Sequence, residues 1–428
     1  MKKILFTIQW YKIDHRISNS ANSLCDENII DELKKNTSYE IHTLSYAVDG
    51  YPLEEIRDRV HVHRFKRSWF WNQLINIQQG PNRKLYAVLH YIQRILMRIK
   101  QLLTIPVYPI YEPFLIMNFA KNALKLHQRE NFDMVVSVHY GTDSLYAGYY
   151  LKKKCPNVKY VAICWDSISG SNLVKYLPPK YALLKKRDFE YKIATIADAM
   201  IVMDASKELH RNNKLTIDYF NKLFFLDVPY FCPISFSKER DVQIVGNPLK
   251  VMFSGNMTGR DPSYLYKLFD KYPTPVVFTF ICHTRFHQRL YKLSEGFSNV
   301  TVRCVPYMNH ENLIKIQLMN DILINFGVKN PNAISGKIFD YMSTGKAVLS
   351  TISIDNEACI KYLKQYPRGL IIDERLTIDQ NIFLLRSFID SISKNPCSFA
   401  EINDLFWNCK PEAYRNTIET IIEGKHGI

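Results

Sequence analysis

Asn330-Pro331-Asn332-Ala333-Ile334-Ser335-Gly336-Lys337-Ile338-Phe339-Asp340-Tyr341-Met342-Ser343-Thr344-Gly345-Lys346-Ala347-Val348-Leu349-Ser350-Thr351 runs from a loop, through a helix, into a strand. Upstream, Asp321 to Phe326 is short and apolar, and downstream Ala347 to Ile352 has the small and β-branched residues of a buried strand. Gly345 is placed to end the helix as a C-cap. Strand, helix and strand in so short a span make the crossover of a parallel sheet, which needs a connection of about a dozen residues or more. The fold class that follows is α/β.

The same alternation extends outward almost from end to end. In the first half, strands are predicted at Ile4 to Ile8, Glu40 to Tyr46, Val60 to Phe65, Met134 to His139, Lys159 to Cys164, Met200 to Asp204 and Phe224 to Val228. Between Pro233 and Pro248 the sequence turns polar and loses its period, as a linker does. A second series then begins at Leu249 to Ser254 and continues through Val276 to Cys282, Val300 to Val305, the two strands of the opening stretch, and Gly369 to Ile372. With 428 residues the chain can build two such cores. The expected domains span 1–240 and 249–410, followed by a helical segment at 411–428.

The 56 Lys and Arg exceed the 41 Asp and Glu, for a net charge of +15, which suits an anionic partner. No basic and aromatic nucleic-acid motif accompanies that charge, so no nucleic-acid partner is expected. The nine cysteines contain no Cys-x-x-Cys pair, which argues against a zinc ribbon and against a disulfide framework. Only about five apolar residues separate Lys3 from Gln9, fewer than a signal peptide carries, and no apolar run reaches the ~18 residues of a membrane span. A cytoplasmic location is the expectation.

Leu85 to Leu103 stands apart: Leu85, Val88, Leu89, Ile92, Ile95, Leu96, Ile99, Leu102 and Leu103 recur at helical spacing, with Arg94, Arg98 and Lys100 on other faces. Such a basic amphipathic helix is either a core-facing element with a solvated side or an interfacial helix that meets anionic lipid.

The chemistry concentrates in the opening stretch. A loop with Ser335 and Gly336 at a helix start offers unpaired backbone N–H groups and the positive end of the helix dipole, which together suit a diphosphate. Lys337 adds a full charge, and Asp340, one turn on, can accept hydrogen bonds from vicinal hydroxyls such as a ribose carries. Each residue alone has a plain structural alternative: Ser335 as an N-cap, Lys337 and Asp340 as a solvated i,i+3 pair.

Ser335-Gly336-Lys337-x-x-Asp340-Tyr341-Met342-x-x-Gly345-Lys346-x-Val348 resembles the donor-binding motif of the large retaining glycosyltransferase family with the twin-Rossmann GT-B fold, many of whose members build bacterial surface polysaccharides. Phe253-Ser254-Gly255-Asn256 resembles the family's opening strand and glycine turn of the second domain. Val305 to Leu313 resembles the turn before its donor site, and Asp133 to His139 and Ala197 to Val202 match in kind.

The resemblance implies two Rossmann-like parallel-sheet domains facing across a cleft, with the last helix crossing back to the first. It assigns His139 and Asn332 to the donor sugar as the catalytic contacts, and Gly255, Asn256, Arg260, Ser335, Gly336, Lys337 and Asp340 to the donor nucleotide and diphosphate. The acceptor it implies is a glycan or a lipid-linked oligosaccharide, at the inner face of the membrane. No cofactor is expected beyond the nucleotide-sugar co-substrate. No metal is expected either, because the chain contains no Asp-x-Asp pair.

Two departures stand out. The family's pair of glutamates appears here as Asn332 and Asp340, and no glycine-rich loop follows the first strand, where Gln9 to Ser20 offers Lys12, His15 and Arg16 instead. The neutral Asn332 keeps open a non-catalytic partner subunit of the same fold, and a nucleotide-sugar epimerase is the other alternative.

Overall fold

The computed structural model describes residues 1–13, 21–66, 83–110, 112–139, 141–171, 173–234, 245–392, 397 and 399–424. These divide into two compact units, one made of the described residues within 1–227 and 412–424, the other of those within 228–411.

The first unit carries an eight-stranded sheet in the order β3-β4-β2-β1-β5-β6-β7-β8. Its strands are β1 (Lys3–Thr7), β2 (Glu40–Tyr46), β3 (Glu54–Arg57), β4 (Val60–Phe65), β5 (Met134–Val138), β6 (Lys159–Cys164), β7 (Ala199–Val202) and β8 (Leu223–Phe225). All pairings are parallel except β3 with β4. Strands covered on both faces read as near-continuous apolar runs, which is why Met134 to Val138 is buried throughout. The buried polar groups within the sheet find partners: Thr7 Oγ1 donates to Ser137 Oγ at 2.7 Å across the β1–β5 pair. Leu5, Val135, Phe119 and Ile193 belong to one core, built from the sheet and the helices Pro113–Glu130 and Pro179–Ile196.

The second unit carries six parallel strands in the order β11-β10-β9-β12-β13-β14. They are β9 (Leu249–Ser254), β10 (Val276–Ile281), β11 (Val300–Val305), β12 (Ile322–Phe326), β13 (Ala347–Ile352) and β14 (Gly369–Asp373). Phe253, Phe278, Phe280 and Ile324 lie in its core with Leu385 and Ile389 of the helix Ile378–Ile392.

The chain changes units between Asp227 and Val228, upstream of the expected boundary. Residues 235–244 of the expected linker lie outside the described residues. The segment before them packs into the second unit: the Phe231 ring stacks on Phe399 at 4.9 Å, and Ser343 Oγ accepts from Cys232 N at 3.2 Å. The helix Pro411–Ile422 has all but its first residue in the first unit, where Arg415 pairs with Glu32 at 3.3 Å and Lys2 with Glu423 at 3.1 Å.

The amphipathic segment is a helix, Arg83–Leu103. Ile92, Ile95, Leu96, Ile99 and Leu102 are exposed, as are Arg94 and Arg98, so the described part of the apolar stripe faces outward and not into the core. Among the described residues no helix is long and apolar enough to cross a membrane.

Candidate functional site

Ligands of an open α/β sheet bind beyond the carboxyl ends of its strands, where the strand order reverses. In the first sheet that point lies between β1 and β5, and in the second between β9 and β12.

At the second reversal, Gly255 follows β9 with φ +134°, a backbone conformation that L side chains rarely adopt. A Cβ at that position would stand 2.7 Å from Lys337 Nζ, so the lysine's ammonium end lies directly against the glycine. Tyr341 holds the helix Lys337–Ser343 in place: its hydroxyl accepts from Ser254 N at 3.0 Å and meets Ser254 Oγ at 3.1 Å. Gly336 answers to packing as well, because a Cβ there would come within 2.8 Å of the Tyr230 ring.

The helix begins one residue later than a Ser335 cap would place it. Gly336 is its N-cap, and the buried Ser335 contributes only its carbonyl, which accepts from Ile338 N at 3.3 Å. The amides of Ser335, Gly336 and Lys337 have no partner among the described residues.

Lys337 is half-buried, and its ammonium has no hydrogen bond or ion pair among the described residues. Burial pushes its pKa down to about 8; the Arg260 charge adds to the shift and Asp340 opposes it. Arg260 lies over the Phe253 ring, 5.5 Å from its centroid, and donates to the Asn256 carbonyl. Burial lowers its pKa too, against the partial compensation of Tyr341 and Tyr307. Asn256 itself is exposed and its side chain braces the loop, accepting from Thr258 N at 2.9 Å.

A third cation, Arg285, stands in the turn after β10 and donates to Thr258 Oγ1 at 3.3 Å. Neither arginine has an ion pair among the described residues. Loops after β9, β10 and β12 therefore bring three cations to one end of the sheet without a carboxylate bonded to any of them.

Asp340 is more constrained than the sequence suggests. Its Oδ1 meets His310 Nε2 at 3.0 Å and its Oδ2 accepts from Gln317 Nε2 at 2.8 Å. Burial acts to raise its pKa, but the His310 and Gln317 hydrogen bonds and the Lys337 charge hold it below the usual carboxylate range. Each oxygen keeps further acceptor capacity. His310 opens the helix His310–Leu318, whose N-cap Asn309 accepts from Asn312 N at 2.9 Å. Asn332 sits half-buried in the turn after β12, its amide donating to Asn330 Oδ1 at 3.0 Å.

At the first reversal, His139 directly follows β5, and its amide donates to Ile163 O at 2.7 Å. Its Nδ1 is buried with no partner among the described residues, as is Gln9 Oε1 after β1. Burial lowers the His139 pKa against the raising influence of Asp166 and Asp143, which leaves a neutral imidazole. Lys12 is not available to a ligand, because it pairs with Asp31 at 3.0 Å and Asp58 at 2.9 Å. His15 and Arg16 lie outside the described residues.

The structure thus gathers Gly255, Asn256, Arg260, Ser335, Gly336, Lys337, Asp340 and Asn332 at one edge of the second unit and places His139 at the corresponding edge of the first. Arg285, His310 and Gln317 were not found from sequence. Arg285 alone carried a usable signal, a cation in a turn directly after a predicted strand.

No family model matches the chain, and no curated protein matches it in sequence. Solved structures do match its fold. A sucrose-phosphate synthase from Thermosynechococcus elongatus is 12% identical, with 99% of each chain covered and a TM-score of 0.62. An α,α-trehalose-phosphate synthase (UDP-forming) from Burkholderia vietnamiensis is 10% identical over 99% of this chain and 100% of that one, with a TM-score of 0.57. A lipopolysaccharide outer core galactosyltransferase in its apo form is 12% identical over 99% and 100%, with a TM-score of 0.53. At such identities the likeness is one of fold, and the fold is GT-B, with two Rossmann-like domains.

Proposed function

We propose that the chain is a glycosyltransferase that moves a sugar from a nucleotide-sugar donor to a glycan or lipid-linked acceptor in the building of a surface polysaccharide. One observation carries this reading: Lys337 and Arg260, both desolvated and without a carboxylate bonded to them, stand at the strand-order reversal of the second sheet. Burying cations that no carboxylate compensates weakens the fold, and such perturbed groups collect where a ligand compensates them. A nucleoside diphosphate supplies the missing negative charge.

In this reading the diphosphate lies on the free amides of residues 335–337, with Lys337, Arg260 and Arg285 around it, and these cations stabilise the charge that develops as the sugar leaves. Work done elsewhere by a divalent metal falls to fixed cations. Asp340, oriented by His310 and Gln317, accepts from the ribose hydroxyls, while Asn332 contacts the donor sugar. Transfer proceeds with retention of the anomeric configuration, the acceptor hydroxyl attacking on the face that the diphosphate leaves.

The exposed stripe of the helix Arg83–Leu103, flanked by Arg94 and Arg98, fits the surface of an anionic bilayer on the cytoplasmic side, where a lipid-linked acceptor would be met. Co-sedimentation with vesicles tests it: binding to phosphatidylglycerol but not phosphatidylcholine, lost in an Ile95→Asp, Ile99→Asp variant, supports the surface role, and equal recovery with both lipids opposes it.

Calorimetric titration with UDP, GDP and their common sugar conjugates decides the main reading. Binding of one nucleotide that Lys337→Ala and Asp340→Ala both weaken establishes the donor site. Absence of binding to every nucleotide removes the enzyme and leaves a non-catalytic partner subunit of the same fold.

A further inference from the structure

A cluster of imidazoles and carboxylates lies on the first sheet, away from both strand-order reversals. Residues two apart on a strand share a face, so Glu40 and His42 of β2 stand together, as do His61 and His63 of β4. The parallel register sets His42 beside His61 and Leu44 beside His63, which brings all four side chains to one face. The His42 and His61 rings stack with centroids 4.5 Å apart and planes within 14°. His42 Nε2 is 2.8 Å from Glu40 Oε1, His61 Nε2 is 4.0 Å from the same oxygen, and one ligand atom from each of the three residues lies within 4.8 Å of the others.

We propose that Glu40, His42 and His61 bind a zinc ion that clamps β2 to β4. Bonds of about 2.0–2.1 Å in tetrahedral array place neighbouring donor atoms roughly 3.3 Å apart, a value the observed spacings bracket; because a metal lies in the plane of each ligating imidazole, the exposed His61 ring turns out of its stack on His42 to share the ion. Two imidazoles and a carboxylate form a borderline donor set suited to zinc. His61 is the most exposed of the three, so the fourth position opens to water on its side.

A second histidine stands behind His42. His42 Nδ1 lies 3.0 Å from His63 Nε2, and His63 Nδ1 meets Arg129 Nη2 at 3.2 Å and Glu54 Oε1 at 3.5 Å; zinc on His42 Nε2 puts the His42 proton on Nδ1, directed at His63 Nε2, and turns His63 Nδ1 from accepting from Arg129 to donating to Glu54. A ligating histidine is held in this way by a relay to a carboxylate.

Lys3 Nζ lies 3.1 Å from Glu40 Oε1 but also 3.3 Å from Glu130 Oε2, so it keeps a partner when the metal takes Glu40. The cluster sits at the amino-terminal ends of β2 and β4, opposite the edge where ligands of such sheets bind, and the ion is accordingly structural. None of these residues belongs to the donor site, and the inference stands or falls independently of the proposed reaction.

The test uses the full chain, freed of metal with EDTA and titrated with zinc against a chromophoric chelator, then with cobalt(II) for its visible spectrum. Expected are stoichiometric zinc binding and a raised melting temperature. Affinity should fall at least about tenfold in His61→Ala and in Glu40→Gln, and about 10- to 100-fold in His63→Gln, the loss typical of removing a partner behind a ligand. UDP affinity should be the same before and after EDTA. The proposal is overturned if no zinc binds at stoichiometric concentration, if Glu40→Gln and His61→Ala bind it as tightly as the wild type, or if cobalt shows thiolate charge-transfer bands that place the metal on cysteines. Loss of UDP binding with EDTA would refute the structural role.

Discussion

The two strand-order reversals share a topology and differ in charge. Beyond β1 and β5 stand a neutral His139 and the buried oxygen of Gln9, and the lysine of that loop, Lys12, is neutralised by Asp31 and Asp58. Beyond β9 and β12 stand Lys337, Arg260 and Arg285, with the carboxylate of Asp340 engaged by His310 and Gln317. Parallel sheets supply a docking edge wherever their order reverses. The charge left uncompensated at that edge is what separates the two.

The contrast breaks most readily on the cations. Lys337→Ala and Arg260→Ala should each weaken UDP binding about 10- to 100-fold, the worth of a hydrogen bond to a charged group, whereas His139→Ala should change it less than about threefold. Titration calorimetry measures all three, and equal losses would mean that the two edges do not divide the work as described.

Gly255→Ala comes next. It places a Cβ at φ +134° against the Lys337 ammonium. The expected cost is about 1–3 kcal/mol in urea denaturation, with weaker UDP binding as the lysine is displaced. Unchanged binding would show that Lys337 is not held by that glycine.

A third test uses pH. Lys337 has its folded pKa lowered to about 8 from an ordinary 10.5. Between those values the unfolded chain holds a proton that the folded chain has released, so this group's contribution to stability rises with pH across the window and is absent below it. Lys337→Met, which keeps the aliphatic packing, should therefore stabilise the protein at pH 7 by about 1–3 kcal/mol. Nucleotide affinity runs the other way, because only the charged lysine attracts the diphosphate. It should fall as pH rises past about 8 in the wild type and stay level in Lys337→Arg.

The smallest effect is expected at His310→Ala. Gln317 still holds Asp340, so UDP affinity should drop by less than about tenfold. A larger loss would mean that the imidazole touches the nucleotide itself.

Much of the fold was legible in advance. β2, β4, β6, β9 and β13 have the bounds expected of them, because strands buried on both faces are written as apolar runs between polar breaks, and the edge strand β11 has them because it is rich in β-branched residues. β3 was missed. Glu54-Glu55-Ile56-Arg57 contains one apolar residue, and this edge strand is held by backbone pairing with β4 and by the Glu55 to Arg64 ion pair at 2.7 Å. The boundary between the units was misplaced because Val228 to Phe231 reads as the end of one apolar series while its side chains pack with the next. At the candidate site, Lys337 and Asp340 were recognisable from their spacing within one helix turn, and Gly255 and Arg260 were named through the family resemblance. His310 and Gln317, 30 and 23 residues from Asp340, were not, since no local pattern links a carboxylate to partners on another helix.

The sequence by itself determined the βα alternation, the two-part organisation and the cationic character of the loop before the helix Lys337–Ser343. These depend on hydrophobic period and local spacing, which any stretch of chain carries within itself. Only the tertiary structure decided that Lys12 is neutralised while Lys337 is not, that Asp340 is braced from two sides, and that four residues from β2 and β4 converge on one face. Each of those outcomes depends on which side chains meet across the fold, and the low dielectric there magnifies every charge left without a partner.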